Sequence, residues 1–179
     1  MSLRDEIHDI YTSRGERAYG LDGVNQTEHA LQCAGLAIAE DRPPAFILAA
    51  LLHDVGHMVH DLGENPAADG IDDAHEDVGA RWLEARLPRS VHEPVRLHVA
   101  AKRWLCAAEP GYHDALSADS QLSLTLQGGP MSAIEREAFE RLPAWRDAVD
   151  LRRLDDRAKT PGAVAPSLED VLAYLDAVV

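Results

Sequence analysis

Apolar residues recur three and four positions apart along most of the chain, as in Ala30, Leu31, Ala34 and Ile38, and again in Val78, Trp82, Leu83 and Leu87. That spacing follows the 3.6-residue period of a helix, and no segment alternates with the two-residue period of a half-buried strand. The pattern predicts helices at about 2–13, 25–40, 44–54, 74–86, 89–106, 117–126, 132–141, 144–159 and 167–178, an all-α bundle. Breakers fall where the pattern lapses: Pro43-Pro44, the stretch from Gly63 to Gly70, Gly128-Gly129-Pro130, and Pro161 to Pro166. The segment from Gly63 to Asp73, acidic and rich in small residues, reads as a mobile surface loop. No repeat or low-complexity tract interrupts the chain, and residues 1–179 are expected to form one domain.

Charge narrows the partners. Seventeen basic residues against thirty-one acidic ones give a net charge of −14, which opposes association with a polyanion, so nucleic acid is not an expected partner. The longest apolar run, Ala45 to Leu52, is too short to span a bilayer, and the N-terminal residues lack a signal-peptide core. A cytoplasmic protein with no membrane association is expected. Cys33 and Cys106 lack CxxC spacing, so both read as reduced core thiols rather than a disulfide or a thiolate metal site. Trp82, Trp104 and Trp145 fall in apolar helical stripes and read as core.

Nine histidines in 179 residues are the more informative count, and their positions decide the chemistry. His53-Asp54 ends the apolar run Phe46 to Leu52, where a buried carboxylate without a partner costs several kcal/mol. A cation neutralises the carboxylate and accepts the imidazole lone pair as well. His29 lies upstream; His75, His98 and Asp155 follow, each within or at the start of a predicted helix. Mixed imidazole and carboxylate donors suit iron, manganese or zinc better than copper or calcium. His8, His60, His92 and His113 stand outside the pattern.

The H…HD…H…H…D order resembles the HD-domain superfamily of all-α metalloproteins, implying an HD-domain helical bundle with a buried dinuclear metal site. Hydrolases and oxygenases both remain open at that level. Longer segments sharpen the resemblance: Asn25-Gln26-Thr27-Glu28-His29, Leu51-Leu52-His53-Asp54-Val55-Gly56-His57, and His75-Glu76-Asp77-Val78-Gly79-Ala80. So do His98-Val99-Ala100-Ala101-Lys102-Arg103, Leu126-Gln127-Gly128-Gly129-Pro130-Met131 and Leu151-Arg152-Arg153-Leu154-Asp155-Asp156 with Lys159. Over about residues 19 to 159 the chain is similar to the mixed-valent diiron oxygenases related to inositol oxygenase, and within them to phosphonate dioxygenases.

The resemblance implies two iron ions, Fe(II)/Fe(III), held by His29, His53, Asp54, His75, His98 and Asp155 with Asp54 bridging, and dioxygen as co-substrate. It implies a small organophosphonate substrate whose C–P bond is cleaved to release phosphate. Lys102, one turn after His98, His57, one turn after His53, and Arg152, three residues before Asp155, project toward the cluster. Ser120 and Gln127 match positions that line the phosphonate pocket. Tyr19 would occupy an iron at rest and leave when substrate or oxygen enters. Asp22 stands where the primary-amine enzyme carries glutamate, and one methylene less leaves room for a quaternary ammonium, which charge and an aromatic face can hold. The expected substrate is 1-hydroxy-2-(trimethylammonio)ethylphosphonate, giving glycine betaine. The alternatives are 2-amino-1-hydroxyethylphosphonate, giving glycine, and, in another class, an HD-type metal-dependent phosphohydrolase.

Overall fold

The computed structural model describes residues 1–16, 18 and 19, 23–59 and 70–179, with the backbone alone at 18 and 19. Eleven α-helices occur among them: α1 (Leu3–Arg14), α2 (Gln26–Ala39), α3 (Pro44–Leu52), α4 (Val55–Val59), α5 (His75–Glu84), α6 (Arg89–Ala108), α7 (Tyr112–Ala115), α8 (Ala118–Leu126), α9 (Ala133–Glu140), α10 (Trp145–Arg157) and α11 (Leu168–Leu172). A 3₁₀ segment, Ala173–Ala177, follows α11. The expected all-α architecture holds. One departure is a ribbon of β1 (Ala18–Tyr19) and β2 (Val24–Asn25), too short for any alternation to register in the sequence.

Helix α3 is the centre of the bundle. Pro44 opens it at a position that needs no donated N–H, and every residue from Phe46 to Leu52 is buried against α2, α6, α10, α11 and the 3₁₀ segment. Leu48, Leu51 and Leu52 have no exposed surface, so truncating any one to alanine costs about 2–5 kcal/mol. A second, smaller core joins Leu97, Ala101 and Leu105 of α6 to Phe139, Ala148 and Val149, with Trp104 and Trp145 packed on its edge. Among the described residues no helix is long and apolar enough to cross a membrane.

Helix α7 has no counterpart in the sequence pattern, and of the boundaries that differ from it two bear on the site. The helix expected over 44–54 ends at Leu52 and restarts at Val55, which puts His53 and Asp54 at a junction rather than inside a helix. The helix expected to reach residue 159 stops at Arg157, and the Ala158 carbonyl, free of a helical donor, turns to His29. The C-terminal helix gives way to the 3₁₀ segment after Leu172.

Candidate metal centre

Local structure aims each histidine. Asn25 and Glu28 form a reciprocal capping box that starts α2 and fixes His29 one turn in, facing the core. His53 and His98 each turn Nδ1 back to the carbonyl three residues earlier, Ala50 at 2.9 Å and Val95 at 2.7 Å. His29 Nδ1 meets the Ala158 carbonyl at 2.9 Å, and His75 Nδ1 meets Asp73 Oδ1 at 2.9 Å. Carbonyl and carboxylate oxygens only accept, so all four Nδ1 atoms carry hydrogen and each neutral ring presents a bare Nε2 lone pair.

Those lone pairs meet in twos. His29 Nε2 lies 3.0 Å from His53 Nε2, and His75 Nε2 lies 3.2 Å from His98 Nε2. Asp54 stands between the pairs. Its Oδ2 is 3.6 and 3.4 Å from His29 and His53, and its Oδ1 is 3.5 and 3.4 Å from His75 and His98. Asp155 Oδ1 adds a fourth donor to the first group, 3.4 Å from His29.

The donors fit two metal ions. Bonds of about 2.1 Å put neighbouring ligand atoms about 3.0 Å apart at right angles and about 3.4 Å apart at tetrahedral angles. The observed separations lie at or close to that range. Head-to-head lone pairs repel unless a cation or a proton sits between them, and the two oxygens of one aspartate divide between the two groups. Among the described residues the first group offers four protein donors and the second three.

Electrostatics agree with that division. Burial lowers His29 to about 4, helped by the charge on His53 and opposed by Asp155 and Asp54. Burial would lower His53 as well, but the charge and hydrogen bond of Asp54 outweigh it and raise His53 to about 9. Without metal, one proton is thus held by the pair. Burial opposes charge on Asp54 and Asp155, yet His53 around the first and Arg152 and Lys159 around the second hold both carboxyls well below their usual range. Cys33 Sγ lies 3.9 Å from His29 Nε2; burial and the nearby carboxylates push its pKa well up, so it packs as a thiol.

Beside Asp155, cations gather. Arg152 is buried and pairs with Asp155 Oδ2 at 2.6 Å, with Asp156, with Ser120 Oγ at 3.3 Å and with the Tyr112 hydroxyl at 3.3 Å. Lys159 Nζ reaches the same Ser120 Oγ at 3.3 Å and Asp155 Oδ1 at 3.5 Å. Lys102 is buried and donates to Ser123 Oγ at 2.8 Å. Burial, then the charge of Arg152, lowers its pKa from 10.5 to about 7.

Gln127 ends α8, its Oε1 buried without a hydrogen-bond partner among the described residues. Gly128 and Gly129, with φ of 97° and 71°, form the turn after it, a backbone path that favours glycine. Arg103 holds that turn through the Gly129 carbonyl at 2.8 Å. His57, on α4, donates Nδ1–H to Asp73 at 2.7 Å and stacks on His75 with ring centroids 3.9 Å apart.

The structure thus brings His29, His53, Asp54, His75, His98 and Asp155 together, with His57 against His75 and Arg152 against Asp155. Tyr19 is described only by its backbone in β1, and Asp22 lies outside the described residues. The sequence pattern does not single out Asp73, Ser123, Tyr112 or Asp156 for the site, and Lys159 enters it only as a register marker. Asp156 and Lys159 carry a visible signal, each four residues after a partner, Arg152 and Asp155.

No family model matches the chain. It is 41% identical over 160 residues, 89% of its length and 82% of the relative's, to a [1-hydroxy-2-(trimethylamino)ethyl]phosphonate dioxygenase (glycine-betaine-forming) of Leisingera caerulea. It is also 41% identical over 167 residues, 92% of its length and 82% of the relative's, to a hydroxymethylphosphonate dioxygenase of Gimesia maris. An uncharacterised protein of Acanthamoeba polyphaga mimivirus is 30% identical over 155 residues, covering 86% of this chain and 71% of its own length. On these likenesses, joined to the all-α fold and the divided histidine–aspartate cluster, the chain belongs to the family of HD-domain phosphonate dioxygenases.

Proposed function

We propose that the protein cleaves the C–P bond of 1-hydroxy-2-(trimethylammonio)ethylphosphonate with dioxygen, releasing glycine betaine and phosphate. Both atoms of O2 enter the products, one in the new carboxylate and one in phosphate, and the four electrons that reduce O2 come from the substrate. The observation that carries the reading is the contact between the histidine–aspartate cluster and a group of three cations, Lys102 and Arg152 buried and Lys159 partly so. Asp155 belongs to both, facing His29 through Oδ1 and Arg152 through Oδ2. A phosphohydrolase would need the same cations, so the choice of an oxygenase rests on the two relatives named as dioxygenases.

His29, His53, Asp54 and Asp155 would hold one iron, and Asp54, His75 and His98 the other. When bound, the irons supply dioxygen activation and one-electron chemistry at the substrate's C1. The chain's own residues do the rest. Lys102, Arg152 and Lys159 neutralise a phosphonate dianion, and Ser120, Ser123 and Gln127 offer hydrogen bonds that fix its orientation. Arg152 is already tied to Asp155 and Asp156, so its guanidinium is aimed before substrate arrives and loses little entropy on binding. Lys102, its pKa lowered by burial, takes up a proton when the dianion binds beside it. His57 lies over the His75 ring, on the side of the second group of ligands. Asp22, short by a methylene, and the Tyr19 ring would accommodate the methylated ammonium.

The test is a steady-state comparison of three compounds under air: the trimethylammonio substrate, 2-amino-1-hydroxyethylphosphonate and hydroxymethylphosphonate. One O2 consumed per phosphate released, with the highest kcat/KM for the trimethylammonio compound, is expected. A higher kcat/KM for either other compound refutes the assignment of substrate. Phosphate release from phosphate monoesters without O2 uptake refutes the oxygenase reading.

A further inference from the structure

The strand of chain entering α5 has an unusual build. Ala74 precedes the helix in the left-handed region, with φ of 47°, a conformation that costs a non-glycine residue energy. Its effect is to fold Asp73 back over the first residue of the helix, His75. Asp73 Oδ1 then lies 2.9 Å from His75 Nδ1 and 3.3 Å from the His75 backbone N–H, while Oδ2 lies 2.7 Å from His57 Nδ1. The two imidazoles stack with ring planes 21° apart. Below them the backbones of α4 and α5 are in contact: a Cβ on Gly56 would sit 1.9 Å from the His75 carbonyl oxygen.

We infer that Asp73 is a positioning residue whose two carboxylate oxygens hold the rings of His57 and His75 as one unit, so that the orientation of the His75 ring is set from two helices. The inference rests on the assignment of His75 as a metal ligand under the proposed function and goes beyond it. One carboxylate oxygen per ring keeps hydrogen on both Nδ1 atoms, leaving His75 Nε2 free to ligate. It also fixes the tilt of His57 against His75, so the two rings move together. Ala74, not Asp73, is the N-cap of α5, and no side chain among the described residues caps that helix; Asp73 Oδ2, bound to a ring on another helix, has no part in starting α5.

Asp73→Asn separates these roles. Through its one amide oxygen asparagine can keep the bond from the His75 backbone N–H, but its amide presents one acceptor and one donor, so its oxygen and amine cannot serve both Nδ1–H groups as the two carboxylate oxygens do. In metal-loaded protein with a melting temperature near that of wild-type, the variant is expected to bind the second iron about 10- to 100-fold more weakly, holding close to one iron per chain where wild-type holds two. KM is expected to rise together with a fall in kcat. A variant that keeps two irons at wild-type affinity and wild-type kinetics overturns the inference.

A measurement on unaltered protein is independent of how any variant folds. With zinc in place of iron, ¹⁵N ring shifts should show Nδ1–H on both His57 and His75. An Nε2–H tautomer at His75 overturns the inference. Wild-type protein that binds only one metal per chain refutes the dinuclear reading itself, whatever the Asp73 variant does.

Discussion

Replacing Lys102 with methionine should make the protein more stable and less active. The ammonium is 3% exposed, and its fall in pKa from 10.5 to about 7, at about 1.4 kcal/mol per tenfold, corresponds to about 5 kcal/mol of strain in the charged form. The sign follows from proton counting. Between pH 7 and 10.5 the unfolded chain binds more protons at Lys102 than the folded one, so this group's contribution improves as pH rises through that window. Its penalty is about 4 kcal/mol at pH 7 and about 2 kcal/mol at pH 9. Methionine removes the penalty but also the hydrogen bond to Ser123, worth about 1 kcal/mol. The variant should exceed wild-type by about 3 kcal/mol at pH 7 and about 1 kcal/mol at pH 9 in urea unfolding of metal-free protein. Its kcat/KM for the phosphonate should fall at least tenfold as the cation is lost. Equal stability at pH 7, or a gap that widens toward pH 9, refutes the assignment of Lys102 as a buried, strained cation.

Further outcomes follow from the same geometry. Arg152→Gln removes the guanidinium that Asp155 and Asp156 share, and losing one partner of a buried charge pair costs about 2–5 kcal/mol; kcat/KM for phosphate release should fall at least 30-fold, and a change under threefold contradicts its place in the pocket. Gly56→Ala drives a Cβ into the His75 carbonyl and should cost about 3 kcal/mol or prevent folding, whereas unchanged urea unfolding would show that α4 and α5 can separate freely. Loading metal at pH 7 should release a proton from the His29–His53 pair, because His53 is raised to about 9. Release measured by pH-stat should fade above about pH 9 as that proton is lost without metal, and a release independent of pH contradicts the shared proton.

The helices that carry the ligands are legible in the sequence because their apolar periodicity is strong and their polar ligands are out of place on it. His53 and Asp54 follow seven consecutive buried apolar residues, and only a partner of opposite charge makes that tolerable. The breaks at residues 53–54 and 158 are not legible, since they depend on where side chains and carbonyls from distant segments meet. Asp73 is hidden for the opposite reason. Its neighbours in sequence are polar and small, the signature of an exposed loop, yet its side chain is 8% exposed because Ala74 folds it over His75. Asp156 and Lys159 look like surface charges on a helix until Arg152, Ser120 and Asp155 are seen to share one buried space with them.

The proposed activity requires two irons sharing Asp54, and counting them is the direct test. Protein loaded anaerobically with ferrous iron and partly oxidised should hold two irons per chain and give the paramagnetic resonance signal of a mixed-valent pair, while Asp54→Asn should lose the signal. One iron per chain in the wild-type, or two irons and an unchanged signal in Asp54→Asn, would contradict it.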